Sequence, residues 1–191
     1  MKLMKLLLVS LVLLFGVTGL QAADLTAHLG DSGQLLSAEA DWMKACETKL
    51  AEYERITGIR ILVQFHLKSP SEEEDRKPGA YMHGLAKKLG VDRRGVLVVY
   101  FHDDPDWRVW IGDELTNVFT GKSGTVQELT ASDAIHEVKE AMLAAARVKA
   151  DADIARAQKS TPGGTPLSVA QRLVCQVDAL VEALQARLSP K

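Results

Sequence analysis

The apolar positions along the chain first follow the period of a helix and then form an extended run. From Ser37, predicted as an N-cap, apolar side chains recur every three to four residues as far as Ile56. Gly58 is predicted to end this helix, because glycine readily adopts the left-handed backbone of a helix C-terminus. Residues 59–67 are apolar and rich in β-branched side chains, which predicts a strand.

A second helix and a buried hairpin are predicted to follow. Residues 69–78 carry a run of acids and two prolines, which predicts a solvated loop, and residues 81–89 predict a short helix. Residues 96–101 are apolar at every position, a pattern typical of a strand buried on both faces of a sheet. The stretch 102–106 is rich in turn-forming Asp and Pro, and residues 107–111 predict the antiparallel return strand.

The acids of this turn could in principle hold a metal ion. A calcium-binding EF-hand loop needs a defined spacing of oxygen ligands, a glycine and a final glutamate, and the segment HDDPD (102–106) with its continuation lacks that pattern. The same residue types are the ones that tight turns favour. We therefore predict a hairpin turn rather than a metal loop.

Two longer helices are predicted to complete the domain. The first is expected to begin with Ser132 as N-cap and to bury Met142 and Ala146 on one face. Its continuation, residues 147–159, is alanine-rich and loses the apolar stripe, which predicts a solvated helix weakly held by the body. After a glycine-containing linker, residues 167–188 predict a helix with a continuous apolar face.

The order of these elements defines the fold class. Helix, strand, helix, strand, strand, helix and helix predict an α/β domain in which helices pack on a small mixed sheet. A length of 191 residues with 47% hydrophobic residues suits one soluble domain with a sizeable core. The net charge of -2 provides no basic surface for phosphates, so no nucleic-acid partner is expected.

The amino terminus has the three-part pattern of a secretory signal peptide, residues 1–23. Two lysines precede an apolar run, and small residues at its end offer a cleavage site. The run is short for a membrane span, which needs about 20 residues, and no second run of that length follows. We therefore expect an exported protein, periplasmic in a Gram-negative source, whose mature chain, residues 24–191, is one domain without a membrane span.

Export permits a disulfide between the two cysteines, Cys46 and Cys175. Cys46 lies on the apolar stripe of its predicted helix. Cys175 lies on the polar side of the last helix, about 200° around the axis from Leu173. Two alternatives stay open at this point: a bridge, or a buried Cys46 with an exposed and unpaired Cys175.

The sequence contains no established catalytic motif that we could identify. The five histidines lack a zinc-binding spacing, and there is neither a G-x-S-x-G elbow nor a phosphate-binding Walker loop. The stretch TPGGT (161–165) precedes a helix but does not follow a strand, which favours a linker over a phosphate-binding loop.

Four motifs in order resemble the TPM domain family, which includes a plant thylakoid-lumen acid phosphatase and many exported bacterial proteins. They are DSGQLLS (31–37), TGIRILVQF (57–65), RGVLVVYF (94–101) and WRVWIGDEL (107–115). The resemblance covers about residues 28–188. It implies an α/β/α sandwich with a central sheet of about four strands. It also implies a divalent cation, often calcium, held by acidic residues.

Matched position by position, the resemblance implies three metal-ligand candidates, Asp31, Asp113 and Glu114. Asp31 matches the family's aspartate ahead of Leu-Leu-Ser, and the other two follow Gly112, where the family often reads Gly-x-Gly-Leu-Glu. Here Glu114 stands in place of the second glycine, and Thr116 stands at the family's glutamate position.

The central strand carries a further match and a further departure. Gly95 matches the glycine that opens this strand in the family, whereas Arg94 stands where an asparagine is common. A positive charge near the site and the loss of a carboxylate both disfavour a bound Ca²⁺ or Mg²⁺. These departures favour a role without metal catalysis.

The sequence thus supports two hypotheses from different classes. The favoured one is an exported TPM-type module that binds an envelope protein without catalysis, through residues 147–159 and the face around Cys175. The alternative is a divalent-metal-dependent acid phosphatase. In it, Asp31, Asp113 and Glu114 would hold Ca²⁺ or Mg²⁺, and the ion would polarise a phosphoryl oxygen.

Overall fold

Four strands form one mixed β-sheet at the centre of the fold. The computed structural model describes residues 27–161, 163 and 165–189, and the predicted signal peptide lies outside this range. The strands are β1 (Leu29–Asp31), β2 (Arg60–His66), β3 (Gly95–Phe101) and β4 (Asp106–Ile111). Their spatial order is β1-β2-β3-β4; the first three run parallel, and β4 returns antiparallel to β3.

Helices cover both faces of this sheet. They are α1 (Ala40–Thr57), α2 (Ala80–Lys88), α3 (Thr116–Thr120), α4 (Val126–Ala131), α5 (Ala134–Ser160) and α6 (Val169–Leu188). The larger core lies between the sheet and α1, α5 and α6, and the smaller core lies beneath α2. The predicted α/β architecture, a small mixed sheet flanked by helices, is confirmed. Within the described part of the chain, every helix is too short or too polar to cross a bilayer.

The predicted burial of the central strand is also confirmed. Every residue of β3 is buried, because β2 and β4 pair with its two edges and helices cover its two faces. Successive side chains point to opposite faces of a strand. Val98 accordingly joins the larger core at 1% exposure, and Val99 joins the smaller core at 0%.

Two predicted helix caps are wrong. Ser37 does not cap α1, since the chain first makes turns that are held by Asp31. The carboxylate of Asp31 accepts hydrogen bonds from the backbone N–H groups of Leu35 (2.9 Å) and Leu36 (2.8 Å). Ser132 lies at the end of α4 instead of capping α5. In both places the predicted cap residue lies in a turn that precedes the helix. A helical period in the sequence does not reveal such a turn.

The predicted weak attachment of residues 147–159 is wrong at the start of this range, where Ala150 is buried, whereas residues 151–159 contain no buried side chain, as predicted for a solvated helix. Helix α5 continues unbroken to Ser160, and Ala150 is 1% exposed within the larger core. Lys149 pairs with Glu182 of α6 at 3.2 Å, which fastens the outer side of the contact. Alanines let two helices approach closely, so a search for large apolar side chains does not find this interface.

Both cysteines are free thiols, in agreement with the unbridged alternative. Cys46 is buried on α1, where burial, followed by the nearby Asp178 carboxylate, raises the pKa of its thiol to about 12. Cys175 is half-buried on α6, and burial raises the pKa of its thiol as well. Both thiols therefore stay protonated and weakly nucleophilic near neutral pH.

The charged loop 69–78 is fastened to the β3–β4 hairpin near both of its ends, and Ser69 donates hydrogen bonds from its backbone N–H (2.7 Å) and hydroxyl (2.8 Å) to the Asp103 carboxylate. Asp75 pairs with Arg108 of β4 at 2.7 Å, and the Arg108 guanidinium lies 5.1 Å from the centre of the Phe101 ring. The preceding acids are exposed, as predicted for a solvated loop. The ion pair thus holds one end of the loop over the smaller core.

A buried histidine joins the edge strand β1 to helix α1. His28 is 5% exposed. Its Nδ1 lies 2.6 Å from Glu47 Oε1, and its Nε2 lies 2.7 Å from Glu54 Oε2. Glu47 also accepts hydrogen bonds from the backbone N–H groups of His28 (2.9 Å) and Leu29 (3.0 Å). No pattern in the sequence indicates this contact, because Glu47 and Glu54 have the spacing of an ordinary solvated helix face.

Substitution of Glu47 by glutamine is expected to destabilise the protein at neutral pH by on the order of 1 kcal/mol, allowing for partial solvent screening of a charged hydrogen bond. Burial acts to raise the pKa of Glu47, but hydrogen bonds from the His28 ring and from backbone N–H groups outweigh it, so that the pKa is lowered. A lowered carboxyl pKa stabilises the fold above the ordinary glutamate pKa, and this contribution disappears as the pH falls through the folded-state pKa.

Urea unfolding at several pH values measures this contribution. The difference between wild type and Glu47→Gln should be largest near neutral pH and shrink as the pH falls below the ordinary glutamate pKa and through the lowered pKa of the folded state. Glu52 is an exposed acid on the same helix that pairs with Arg55, and Glu52→Gln should have little effect. Equal losses for the two variants, or a difference that grows in acid, would contradict this account.

Candidate functional site

The three predicted metal ligands lie at opposite ends of the sheet. Asp31 ends β1 and pairs with Phe65, near the carboxyl end of the parallel strands. Asp113 and Glu114 follow β4, whose antiparallel course returns the chain to the amino end of β3. There, Gly112 donates a backbone hydrogen bond to the carbonyl oxygen of Gly95 (2.8 Å).

The distance across the sheet excludes a shared ion for these acids. Strands β1 and β4 are three strand spacings apart, roughly 14 Å. Along the strand direction, Asp31 is also separated from Asp113 and Glu114 by at least four residues, roughly 13 Å. Calcium and magnesium bind oxygen ligands at about 2.0–2.6 Å. The structure therefore does not bring Asp31 together with Asp113 and Glu114.

Each of these acids already has a local structural role or an exposed position. Both carboxylate oxygens of Asp31 accept backbone hydrogen bonds. Glu114 accepts a hydrogen bond from Arg93 at 2.8 Å, and Asp113 is exposed. Among the residues that the structure describes, no group of three His, Cys, Asp or Glu side chains is arranged to hold a metal ion. The residues present do not fit the divalent cation that the family resemblance implies.

A cleft lies where the first residues of β4 meet α5 and α6, and we call it the β4–α5–α6 cleft. Its volume is about 230 Å³. The apolar part of its lining comes from the two helices: Leu143, Ala146, Ala150 and Leu180. The alanines leave room beside the strand, because no long side chain fills the space between them and β4.

Trp107 forms the wall of the cleft on the strand side. Its ring meets Phe65 edge to face, with 5.9 Å between ring centres, and lies 5.0 Å from Tyr100. Its indole N–H donates a hydrogen bond to the Gln176 side-chain oxygen of α6 (3.0 Å). The two aromatic contacts hold the ring, and the hydrogen bond holds its N–H edge. This wall of the cleft is therefore formed without a ligand.

Charged side chains surround the mouth of the cleft. Its lining includes three carboxylates, Asp106, Glu140 and Asp151, and one guanidinium, that of Arg147, and all four residues are exposed. Glu140 lies 3.9 Å from His136. Throughout residues 27–161 and 165–189, no partner within ion-pair distance is found for Asp106, Arg147 or Asp151. The mouth is therefore negative overall and its charges are available to a ligand.

The chemistry of this lining suits the binding of a ligand. Ligand sites commonly combine an apolar or aromatic interior with a few polar groups that fix orientation. Among the described residues that line the cleft, the reactive side chains are the three carboxylates, and none is a hydroxyl, thiol, imidazole or amine. The arrangement suits a ligand with an apolar stem and a polar or charged end.

Some lining residues of this cleft lie in or beside the predicted partner surfaces, and others do not. Arg147, Ala150 and Asp151 fall within the predicted partner surface 147–159, and Gln176 is adjacent to the predicted face around Cys175. Trp107 and Glu140 were not identified, because only tertiary contacts bring the hairpin to the helix pair. One feature of the sequence could have indicated the cleft: Trp107 is a large amphipathic side chain at the start of an edge strand.

The fold defines the class of this protein: an α/β domain, with a cleft beside the edge strand β4 of its sheet. No protein-family model matches the chain. No curated protein matches it either. Among solved structures, it is similar to the solution NMR structure of the N-terminal domain of a protein from P. gingivalis. The identity is 16%, the match covers 87% of each chain, and the TM-score is 0.45.

Proposed function

We propose that this chain is an exported TPM-type domain that binds an envelope protein without catalysing a reaction. The observation that carries the proposal is the β4–α5–α6 cleft, with its fixed Trp107 wall, apolar interior and charged mouth. A preformed site of this kind lowers the ordering cost of binding, because its side chains do not need to be immobilised by the ligand.

The sequence supports the compartment and family in this proposal. The pattern of residues 1–23 is that of a signal peptide, which favours export to the periplasm or beyond. The four quoted motifs follow the family's order, and a four-stranded mixed sheet is what that resemblance implies.

The surroundings of the cleft favour a protein ligand over a free small molecule. The outward face of α5 beside the cleft carries small apolar side chains, and Val148 on this face is 71% exposed. Ala144 and Ala145 are exposed on the same helix. A partner could lie along this flat helix face and place one anchoring side chain in the cleft, as buried anchors do in protein interfaces.

Substitution of Ala144 by arginine provides a direct test, because Ala144 lines the cleft yet is exposed. The long side chain should block the cleft without disturbing the core. Ala51→Arg, at an exposed alanine on α1, is the matched control for charge and size. We expect affinity capture from an envelope extract to recover a protein with wild type and Ala51→Arg, and at least about tenfold less of it with Ala144→Arg.

Two results would contradict the proposal. One is the recovery of no specific protein, or of equal amounts with all three proteins. The other is evidence for the phosphatase alternative: melting temperatures that rise saturably with Ca²⁺ or Mg²⁺. It would be accompanied by chelator-sensitive hydrolysis of a phosphomonoester that Asp31→Ala abolishes.

A further inference from the structure

We infer that the β4–α5–α6 cleft recognises a guanidinium or ammonium group on an alkyl stem, which the partner supplies as an arginine or lysine side chain. That a partner protein supplies this group rests on the proposed function. The chemistry of the ligand rests on the cleft alone, through its charge, its aromatic wall and its shape.

The charge of the mouth selects a cation. Asp106, Glu140 and Asp151 outnumber Arg147 by three carboxylates to one guanidinium. An incoming carboxylate would meet three like charges, whereas a cation would meet three opposite charges that lack strong partners of their own. The two lysines of this stretch of α5 have partners elsewhere: Lys139 donates a hydrogen bond to the Val109 carbonyl oxygen (3.4 Å), and Lys149 pairs with Asp153 (3.0 Å) and Glu182 (3.2 Å).

The aromatic wall selects a cation as well, by an independent effect. The face of an indole ring carries negative electrostatic potential, and tryptophan is the strongest cation–π partner among the side chains. Trp107 is held by Phe65, Tyr100 and Gln176, so its ring is already in place when a cation arrives. A polar uncharged ligand would gain only the hydrophobic part of this contact.

The interior of the cleft suits the stem of such a side chain. Leu143, Ala146 and Leu180 offer apolar surface below the charged mouth. Lysine and arginine bury their methylene groups along apolar surface while the charged head stays near water and acids. This distribution, apolar inside and acidic at the opening, corresponds to the two halves of a basic side chain.

Nuclear magnetic resonance with n-butylguanidinium as the probe tests this inference. The chain has three tryptophans, and the indole N–H signal of Trp107 is assigned by its loss in Trp107→Phe. We expect a saturable shift of this signal with a dissociation constant of about 1–10 mM, as for a single weakly held side chain. The uncharged isostere n-butylurea should bind at least about fivefold more weakly.

Two exposed acids of the mouth allow a matched pair of variants. Glu140→Gln combined with Asp151→Asn should weaken n-butylguanidinium binding by roughly fivefold. Glu137→Gln combined with Asp104→Asn removes the same charge at exposed positions outside the cleft and should leave binding unchanged. Because all four residues are exposed, both proteins should retain the dispersed spectrum of the folded state.

The inference is overturned if n-butylurea shifts the Trp107 signal as strongly as n-butylguanidinium, if neither probe shifts it, or if the two double variants bind alike. Failure of the proposed function is a different result. If n-butylguanidinium binds as expected but Ala144→Arg captures the partner as well as wild type does, the inferred cation binding stands and the proposed docking of a protein at the cleft is wrong. A partner that is lost in Ala144→Arg but is not displaced by a saturating concentration of n-butylguanidinium would overturn the assignment of the ligand to a basic side chain of the partner and leave the proposed function standing.

Discussion

Replacing Phe65 with alanine is expected to lower the free energy of unfolding by about 3–5 kcal/mol, the usual cost of truncating a buried phenylalanine. The Phe65 side chain is 0% exposed. Its ring centre lies 6.3 Å from that of Tyr100 and 5.9 Å from that of Trp107, so truncation leaves a cavity and removes two aromatic contacts. The melting temperature should fall by roughly 10 °C or more.

Leu67 provides the control for this experiment. It follows β2 directly and is 48% exposed, so Leu67→Ala should cost about 1 kcal/mol or less. Urea unfolding of the three proteins measures both effects. Similar losses for the two variants would mean that the larger core is not centred on Phe65.

Substitution of Gly112 by alanine should destabilise the protein by about 3 kcal/mol, although the change adds a single methyl group. A Cβ at this position would lie 2.5 Å from the Arg93 carbonyl oxygen and 2.8 Å from that of Gly95. Both atoms belong to the backbone, so the end of β4 must move away from the start of β3. The backbone hydrogen bond from Gly112 to Gly95 would be strained by that movement.

Gly84 is the matched control, since the same substitution there should act in the opposite direction. It lies inside α2, and an added Cβ would meet nothing within 4 Å. Alanine in place of glycine in a helix interior stabilises by about 0.5–1 kcal/mol. Thermal unfolding should therefore place Gly84→Ala above wild type and Gly112→Ala well below it. A stable Gly112→Ala protein would refute the close approach of the two strands.

The cleft shares several of its lining residues with the larger core, so the proposed binding is coupled to stability. Trp107 belongs both to the aromatic contacts of the larger core and to the wall of the cleft. Variants of Trp107 or Phe65 will therefore change folding and binding together. The exposed positions Ala144, Glu140 and Asp151 separate the two effects, because they line the cleft without belonging to the larger core.

Local pattern was sufficient for the elements whose burial is simple. The all-apolar run of β3 indicated a strand covered on both faces, and the Asp-Pro turn with the following apolar run indicated the hairpin. The continuous apolar face of α6 indicated a core helix, and Gly58, in the left-handed conformation at the end of α1, ended the helix as expected. These features depend on neighbours within a few residues, which is the range over which periodicity and turn chemistry act.

By itself the sequence determined the class of the fold, the buried centre of the sheet and the presence of acids and small residues that a site would need. Only the tertiary structure decided which of them meet. The direction of β4 places Asp113 and Glu114 at the opposite end of the sheet from Asp31. The packing of α5 on α6 joins Glu140 and Asp151 to Trp107 in one cleft. Such pairings depend on strand order and helix contacts between distant parts of the chain, and the spacing of residues along a sequence does not specify them.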